Sequence, residues 1–327
     1  MRIRYIILAV VFLFMLFSCA KPNEPSESGN ILKVDKTFYT GGYAQDLKVS
    51  DEIVFVAEDQ QGFSIFNHIS GTRLCLIDSV DGRHFENIPN ITGVLNEDLL
   101  FVYDTYSTNK IYVYDISDLL NPVNVHYFPG DTANLKRMLA VPNSDEGADL
   151  FWSSSFELKH VTYNDGWTVH TPYEFPNEIR GFDISDEYII VAGLQLGFYI
   201  IERSSGNLIC SLETPGEALD VKIVDNLVIL ALREEGFKIF DISDPIAPQE
   251  IFSKDLNDLI YTVDAENDKL VLSSRSGGVF LYDISDISNP EYLGNIDSGD
   301  IGYTFDATLH DGKIFAATRL GIQVISF

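Results

Sequence analysis

Four of the eight arginines that follow the N-terminal segment stand at recurring places in this chain of 327 residues. Arg233, Arg275 and Arg319 each lie between a buried-type apolar run and a glycine-led strand. Arg180 stands three residues before Asp183, as Tyr43, Glu217, Tyr261 and Tyr303 stand three before Asp46, Asp220, Asp264 and Asp306. The remaining arginines, at 73, 83, 137 and 203, follow no such pattern. A guanidinium offers two parallel N–H donors to a carboxylate or phosphate, and a phenol ring offers an apolar face for stacking. Tyr43, Arg180, Arg233, Tyr261, Arg275, Tyr303 and Arg319 are therefore the candidate binding residues for an anionic or sugar-like ligand. The plainer alternative is that the arginines neutralise Glu58, Asp59, Glu234 and Glu235 and hold their loops without any ligand.

Other chemistry is harder to build. The six histidines, at 68, 84, 126, 160, 170 and 310, have no i, i+4 or H-x-H pair, so each is expected at a turn or on the surface and no metal site is expected. Gly62-Phe63-Ser64 starts a strand rather than a nucleophile turn, and no glycine-rich phosphate loop occurs. With 49 Asp and Glu, adjacent carboxylates arise without function. No cofactor and no catalytic residue are expected.

The elements that would position the arginines repeat. Gly62-Phe63-Ser64-Ile65-Phe66, Gly197-Phe198-Tyr199-Ile200-Ile201, Gly236-Phe237-Lys238-Ile239-Phe240, Gly278-Val279-Phe280-Leu281-Tyr282 and Gly321-Ile322-Gln323-Val324-Ile325 are five copies of one strand start. Weaker copies begin at Ile111 and Phe156, and the mean spacing of the seven is about 43 residues, the period of a four-stranded propeller blade. Within a copy, Asp220-Val221-Lys222-Ile223-Val224 alternates as a half-buried strand, Asp225-Asn226 turns, and Leu227-Val228-Ile229-Leu230-Ala231 reads as fully buried. Ser50-Asp51-Glu52, Asn96-Glu97-Asp98, Asp186-Glu187, Glu266-Asn267-Asp268 and Asp311-Gly312 fall at the same turn. The third strand ends in Asp-Ile-Ser-Asp with a nearby proline, from Asp115 to Pro122, Asp241 to Pro245 and Asp283 to Pro290. This carboxylate spacing departs from a calcium loop and reads as a structural turn.

These blocks resemble the LVIVD-repeat family of bacterial and archaeal surface propellers, through Leu227-Val228-Ile229-Leu230-Ala231 with Gly236 to Pro245, and through Leu270-Val271-Leu272 with Tyr282 to Asp286. The resemblance runs from about residue 40 to 327, with the third repeat, around Ala148-Asp149-Leu150-Phe151-Trp152, departing from it. It implies a propeller with a cell-surface role and brings no agreed catalytic residue. The expected fold is all-β, a seven-bladed β-propeller of four-stranded blades spanning residues 31–327. The last repeat ends without a fourth strand, which Asn30 to Tyr39 can supply, closing the ring and removing its exposed edges. Cys75 and Cys210 each lie 12 residues into their repeat, in blades one and four. They are too far apart for a disulfide and are expected as free thiols.

Residues 1–18 read as a secretory signal, with Arg2 and Arg4 before an apolar stretch too short to span a bilayer. Leu16-Phe17-Ser18-Cys19 resembles a bacterial lipoprotein cleavage box, which implies lipidation of Cys19 and a flexible tether over residues 19–30. Without Arg2 and Arg4, 20 basic side chains face 49 acidic ones, a net charge of −29. Such a chain repels nucleic acid and anionic membrane surfaces, so its membrane contact is expected only through the lipid on Cys19. The expectation is a non-enzymatic, lipid-anchored, monomeric envelope propeller, placed at the bacterial outer membrane, which binds a protein or glycan partner. The alternative is a propeller-type carbohydrate-active enzyme, a glycoside hydrolase or polysaccharide lyase.

Overall fold

A computed structural model describes residues 30–105, 109–144 and 147–327. The secretory segment, Cys19 and nearly all of the tether lie outside these residues. From Ile31 to Phe327 the chain forms one compact unit. Seven antiparallel blade sheets make it up, and in the first six the strands of one repeat run in sequence order outward from the axis; a two-stranded ribbon, Ser79–Val80 with Arg83–His84, follows blade one. The innermost strands of blades one to seven are Asp46–Ser50, Asn90–Val94, Leu135–Pro142, Phe182–Ile184, Ala218–Val224, Ile260–Glu266 and Thr304–His310.

The repeat residues explain the blades. Asp51, Asp98, Asp225, Asn267 and Asp311 take left-handed backbone at the first turn, a conformation short polar side chains tolerate. Each second strand is buried on both faces; Val228, Ile229, Leu230 and Ala231 are all fully covered. Gly236 opens a third strand at φ 73°, where a Cβ would come within 2.1 Å of the Lys254 carbonyl at the end of the fourth. At the Asp-Ile-Ser-Asp corners, the carboxylates of Asp115, Asp241 and Asp283 accept the N–H of Ser117, Ser243 and Ser285 at 2.8 to 2.9 Å. The isoleucines between them, Ile116, Ile242 and Ile284, are buried in the cores between blades.

Closure follows the expectation. The strand Lys33–Phe38 pairs antiparallel with Gly321–Ser326 and becomes the outer strand of blade seven. Thr37 Oγ1 donates to Gln323 Oε1 at 2.7 Å, and Lys313 Nζ meets Asp35 Oδ2 at 2.9 Å. That lysine holds the Asp35 carboxyl below its ordinary pKa. The Phe38 carbonyl occupies the place of the Lys254 carbonyl, 2.1 Å from where a Cβ on Gly321 would stand. Phe38 stacks on Phe66 of blade one, ring centres 5.4 Å apart, so the N-terminal strand joins the last blade to the first.

Two expectations need adjusting. Blade three has a broken outer strand, Trp167–Val169 and Tyr173–Glu174, both paired to Glu157–Tyr163. There His160 is no isolated surface residue: it stacks on Phe151 at 4.0 Å and on His170 at 4.2 Å, because the three lie side by side across neighbouring strands. His68 lies at a turn, as expected, but is buried, with Nε2 2.8 Å from the Asp51 carbonyl. Cys75 and Cys210 are free and occupy matching places, opposite Ile65 and Ile200.

Candidate functional site

The innermost strands enclose a channel of about 510 Å³ along the ring axis. Its levels follow from strand register. Asp46, Asp220 and Asp306 each face the alanine of the second strand, Ala57, Ala231 and Ala317. In the other blades this level carries Asn90 opposite Tyr103, Arg137 opposite Ser153, Thr262 opposite Ser273, and Gly181, whose carbonyl accepts the Ala192 N–H.

This register corrects the sequence alignment. Tyr43, Glu217 and Tyr303 are equivalent, three residues before the carboxylates. Arg180 and Tyr261 are not: they precede Gly181 and Thr262 directly, and Asp183 and Asp264 stand one level deeper. In blades three, five, six and seven a bulge at Lys136, Leu219, Tyr261 and Phe305 inserts a residue that sequence spacing cannot reveal.

The carboxylate level is tied into the ring. Asp46 Oδ2 accepts the Ile91 N–H at 2.9 Å, and Asp220 Oδ2 accepts the Val263 N–H at 3.2 Å, each from the next blade. Arg137, which sequence reasoning missed, stands at 3.3 Å from Asp220 Oδ2. Burial opposes its charge, but Asp220, Asp306, Asp46 and Asp183 outweigh that and hold it protonated. Burial pushes the carboxyls of Asp46 and Asp220 up to about 7, with the charge of Asp306 adding to both. Deeper still, Lys222 pairs with Asp264 at 2.9 Å, and Asp264 accepts Thr308 Oγ1 at 2.6 Å.

Above this level lies the rim, made by the loops joining second and third strands and the approaches to the next blade. The two are fastened by backbone hydrogen bonds such as Thr304 N–H to Arg275 O at 3.0 Å and Ala44 N–H to Thr318 O at 3.1 Å. The rim arginines do not behave alike. Arg233 is committed to Glu217 at 2.7 Å and Glu234 at 3.4 Å. Arg275 lies over the Tyr261 ring, 4.0 Å from its centre. Arg319 lies over Tyr303 at 4.4 Å and Tyr43 at 5.4 Å. Phe305 packs between these tyrosines, 5.1 Å from Tyr303 and 6.3 Å from Tyr43.

Among the described residues the arginine ion pairs are those of Arg137, Arg203 and Arg233. Arg180, Arg275 and Arg319 therefore have no carboxylate within 4.0 Å among the described residues. Glu58, a candidate neutralising acid, is fully buried and accepts the Gly41 N–H at 2.9 Å instead. Neutralisation thus accounts for Arg233 and leaves Arg275 and Arg319 on aromatic faces, a favourable seat that keeps their N–H edges available. The arrangement brings Tyr43, Tyr303 and Arg319 together at the seam and pairs Tyr261 with Arg275, and these two line the channel with Arg180 of blade four.

The LVIVD repeat matches the chain at residues 41–66 and 215–255, within blades one and five and their approaches. No curated protein matches it. Among solved structures, U3-55K is similar with a TM-score of 0.73 at 12% identity, covering 90% of this chain and 98% of that one. The WD40 repeats of RRP9 give 0.73 at 13% identity over 90% and 97%. A computationally designed protein, Ika8, gives 0.61 at 11% identity over 88% and 97%. At such identities these likenesses speak to the propeller fold alone.

Proposed function

We propose that this chain is a non-enzymatic binding module of the cell envelope, exported through its N-terminal signal and held at the outer membrane by lipid on Cys19. It engages a glycan or protein partner through the rim of the ring, at a ligand group that is anionic or sugar-like. The propeller fold and the LVIVD repeats support an interaction module. The placement of Arg275 and Arg319 supports the ligand class: two guanidiniums seated on tyrosines, without carboxylate partners among the described residues, in a chain with a large acid excess. Each can give a bidentate pair to a carboxylate or phosphate while Tyr43, Tyr261 and Tyr303 offer stacking faces. Nucleic acid fits poorly with the charge of the whole surface.

Recovery of the lipid-anchored protein from membranes with its neighbours, alongside a glycan array, tests this reading. Specific retention of one protein or one class of acidic glycan is expected. Turnover of a polysaccharide by the purified protein would replace it with the carbohydrate-active enzyme.

A further inference from the structure

The wall shared by blades seven and one changes sign with depth. Arg319 stands at the rim; Phe305, Tyr43 and Tyr303 form an apolar band beside it; Asp306 follows Phe305 directly on the same strand, one level deeper. The Asp306 carboxylate, on a residue whose backbone pairs with Ala317, makes no hydrogen bond or ion pair among the described residues, and its charge raises the pKa of neighbouring Asp46. At that level Asp220 is 2% exposed and lines the channel, and its Oδ1 has no hydrogen-bond partner among the described residues. Arg137 is the one cation facing these three carboxylates at their level among the described residues, and its hydrogen bond goes to Asp220. One level deeper Lys48 and Lys222 stand with Asp183 and Asp264, Lys222 paired to Asp264 at 2.9 Å, so at the upper level Asp306 is the carboxylate left without a side-chain partner among the described residues.

We propose that this wall takes a zwitterion: an anionic group on Arg319, a ring or other apolar body against Phe305 and the tyrosines, and an ammonium group beside Asp306. This rests on the rim reading above and narrows its ligand to molecules carrying both charges, such as free amino acids, peptide termini or amino-sugar acids. A neutral sugar or a simple anion would use only the upper half of the wall, whereas the ammonium adds a charge-assisted contact in a shielded place.

Three matched probes separate the parts: para-(aminomethyl)benzoate with both charges, para-toluate with the anion alone, and para-methylbenzylamine with the cation alone. Binding to the full ring is followed by NMR titration at pH 8. The zwitterion is expected to bind at least about tenfold more tightly than para-toluate. Asp306→Asn should remove that advantage and leave para-toluate unchanged, whereas Arg319→Ala should weaken both. Asp306→Thr, which copies Thr262 of blade six, serves if the Asn variant does not fold. Equal affinities for zwitterion and toluate, or an advantage that survives either substitution of Asp306, overturn the inference and leave the rim reading standing. Toluate binding untouched by Arg319→Ala, or no binding of any probe, overturns the rim reading and the inference with it.

Discussion

The Arg319 guanidinium lies 5.4 Å from the centre of the Tyr43 ring, so the last blade caps an aromatic residue on the approach to the first. The pair exists only because the ring closes, and closure depends on Lys33–Phe38 lying beside Gly321–Ser326. The candidate site and the fold's seam are therefore the same place, and a fault in one should be felt in the other.

Gly321→Ala tests the seam. Its Cβ would stand 2.1 Å from the Phe38 carbonyl at a φ of 108°, so the outer strand must shift or detach. A loss of about 2–4 kcal/mol in urea unfolding is expected. Gly166→Ala, with nothing within 4 Å of the added carbon, should change stability little.

The channel carboxylates set a pH dependence. An unfolded Asp titrates near 4. Burial holds the folded carboxyls of Asp46 and Asp220 protonated up to about 7. Between those values the native state binds more protons than the unfolded one, so stability falls as pH rises through this window and the loss is complete above about 7. Asp35 and Asp264, whose pKa values are lowered in the fold, act in the opposite sense below the range of ordinary carboxylates, and His170, whose imidazole pKa burial lowers, does so near its own ordinary range, one group against two. Melting temperature should accordingly be higher at pH 5 than at pH 8, and Asp46→Asn should reduce the difference. A melting temperature that climbs from pH 5 to pH 8 would contradict the burial of these groups.

Free thiols in this ring should be sluggish. Burial pushes the Cys75 thiol up to about 11 and raises that of Cys210, so little thiolate exists near neutrality. Alkylation by iodoacetamide at pH 8 should run well below the rate of a small-molecule thiol and accelerate on denaturation. Fast labelling of the folded protein would place these cysteines in a more open setting.

Much of the fold is legible in the sequence because its signals are local. The glycine before Phe237 and the Asp-Asn turn at 225–226 are each demanded by backbone contacts inside one repeat, so they recur wherever the repeat does. Closure is legible for a similar reason, as a strand absent at one end and present at the other. The site is legible only in part. Arg275, Arg319 and the tyrosines stand out by type and position, but in blades four and six the aligning acid, Asp183 or Asp264, lies one level deeper, because Gly181 and Thr262 take the place that Asp46, Asp220 and Asp306 hold elsewhere. Arg137 escapes notice because it takes the place of the acid in the third repeat, where the pattern is weakest. Aligning Asn134-Leu135-Lys136-Arg137 with Tyr43-Ala44-Gln45-Asp46 brings it into view.

Export and anchoring are open to a direct check. Cys19→Ser should abolish incorporation of labelled palmitate and move the protein from the membrane to the soluble fraction. Protease treatment of intact cells then reports whether the ring faces outward, with digestion expected for surface display.

The rim is tested most directly by equilibrium affinity for the acidic glycan or protein retained in the capture experiments, compared between the native chain, Arg275→Ala/Arg319→Ala and Arg233→Ala. The double variant should lose at least about a hundredfold in affinity, as expected when two charge-assisted contacts are removed. Arg233→Ala should change it by no more than a few-fold, because that guanidinium is occupied by Glu217. Unchanged affinity in the double variant, with the ring still folded, would contradict the assignment of this rim as the binding site.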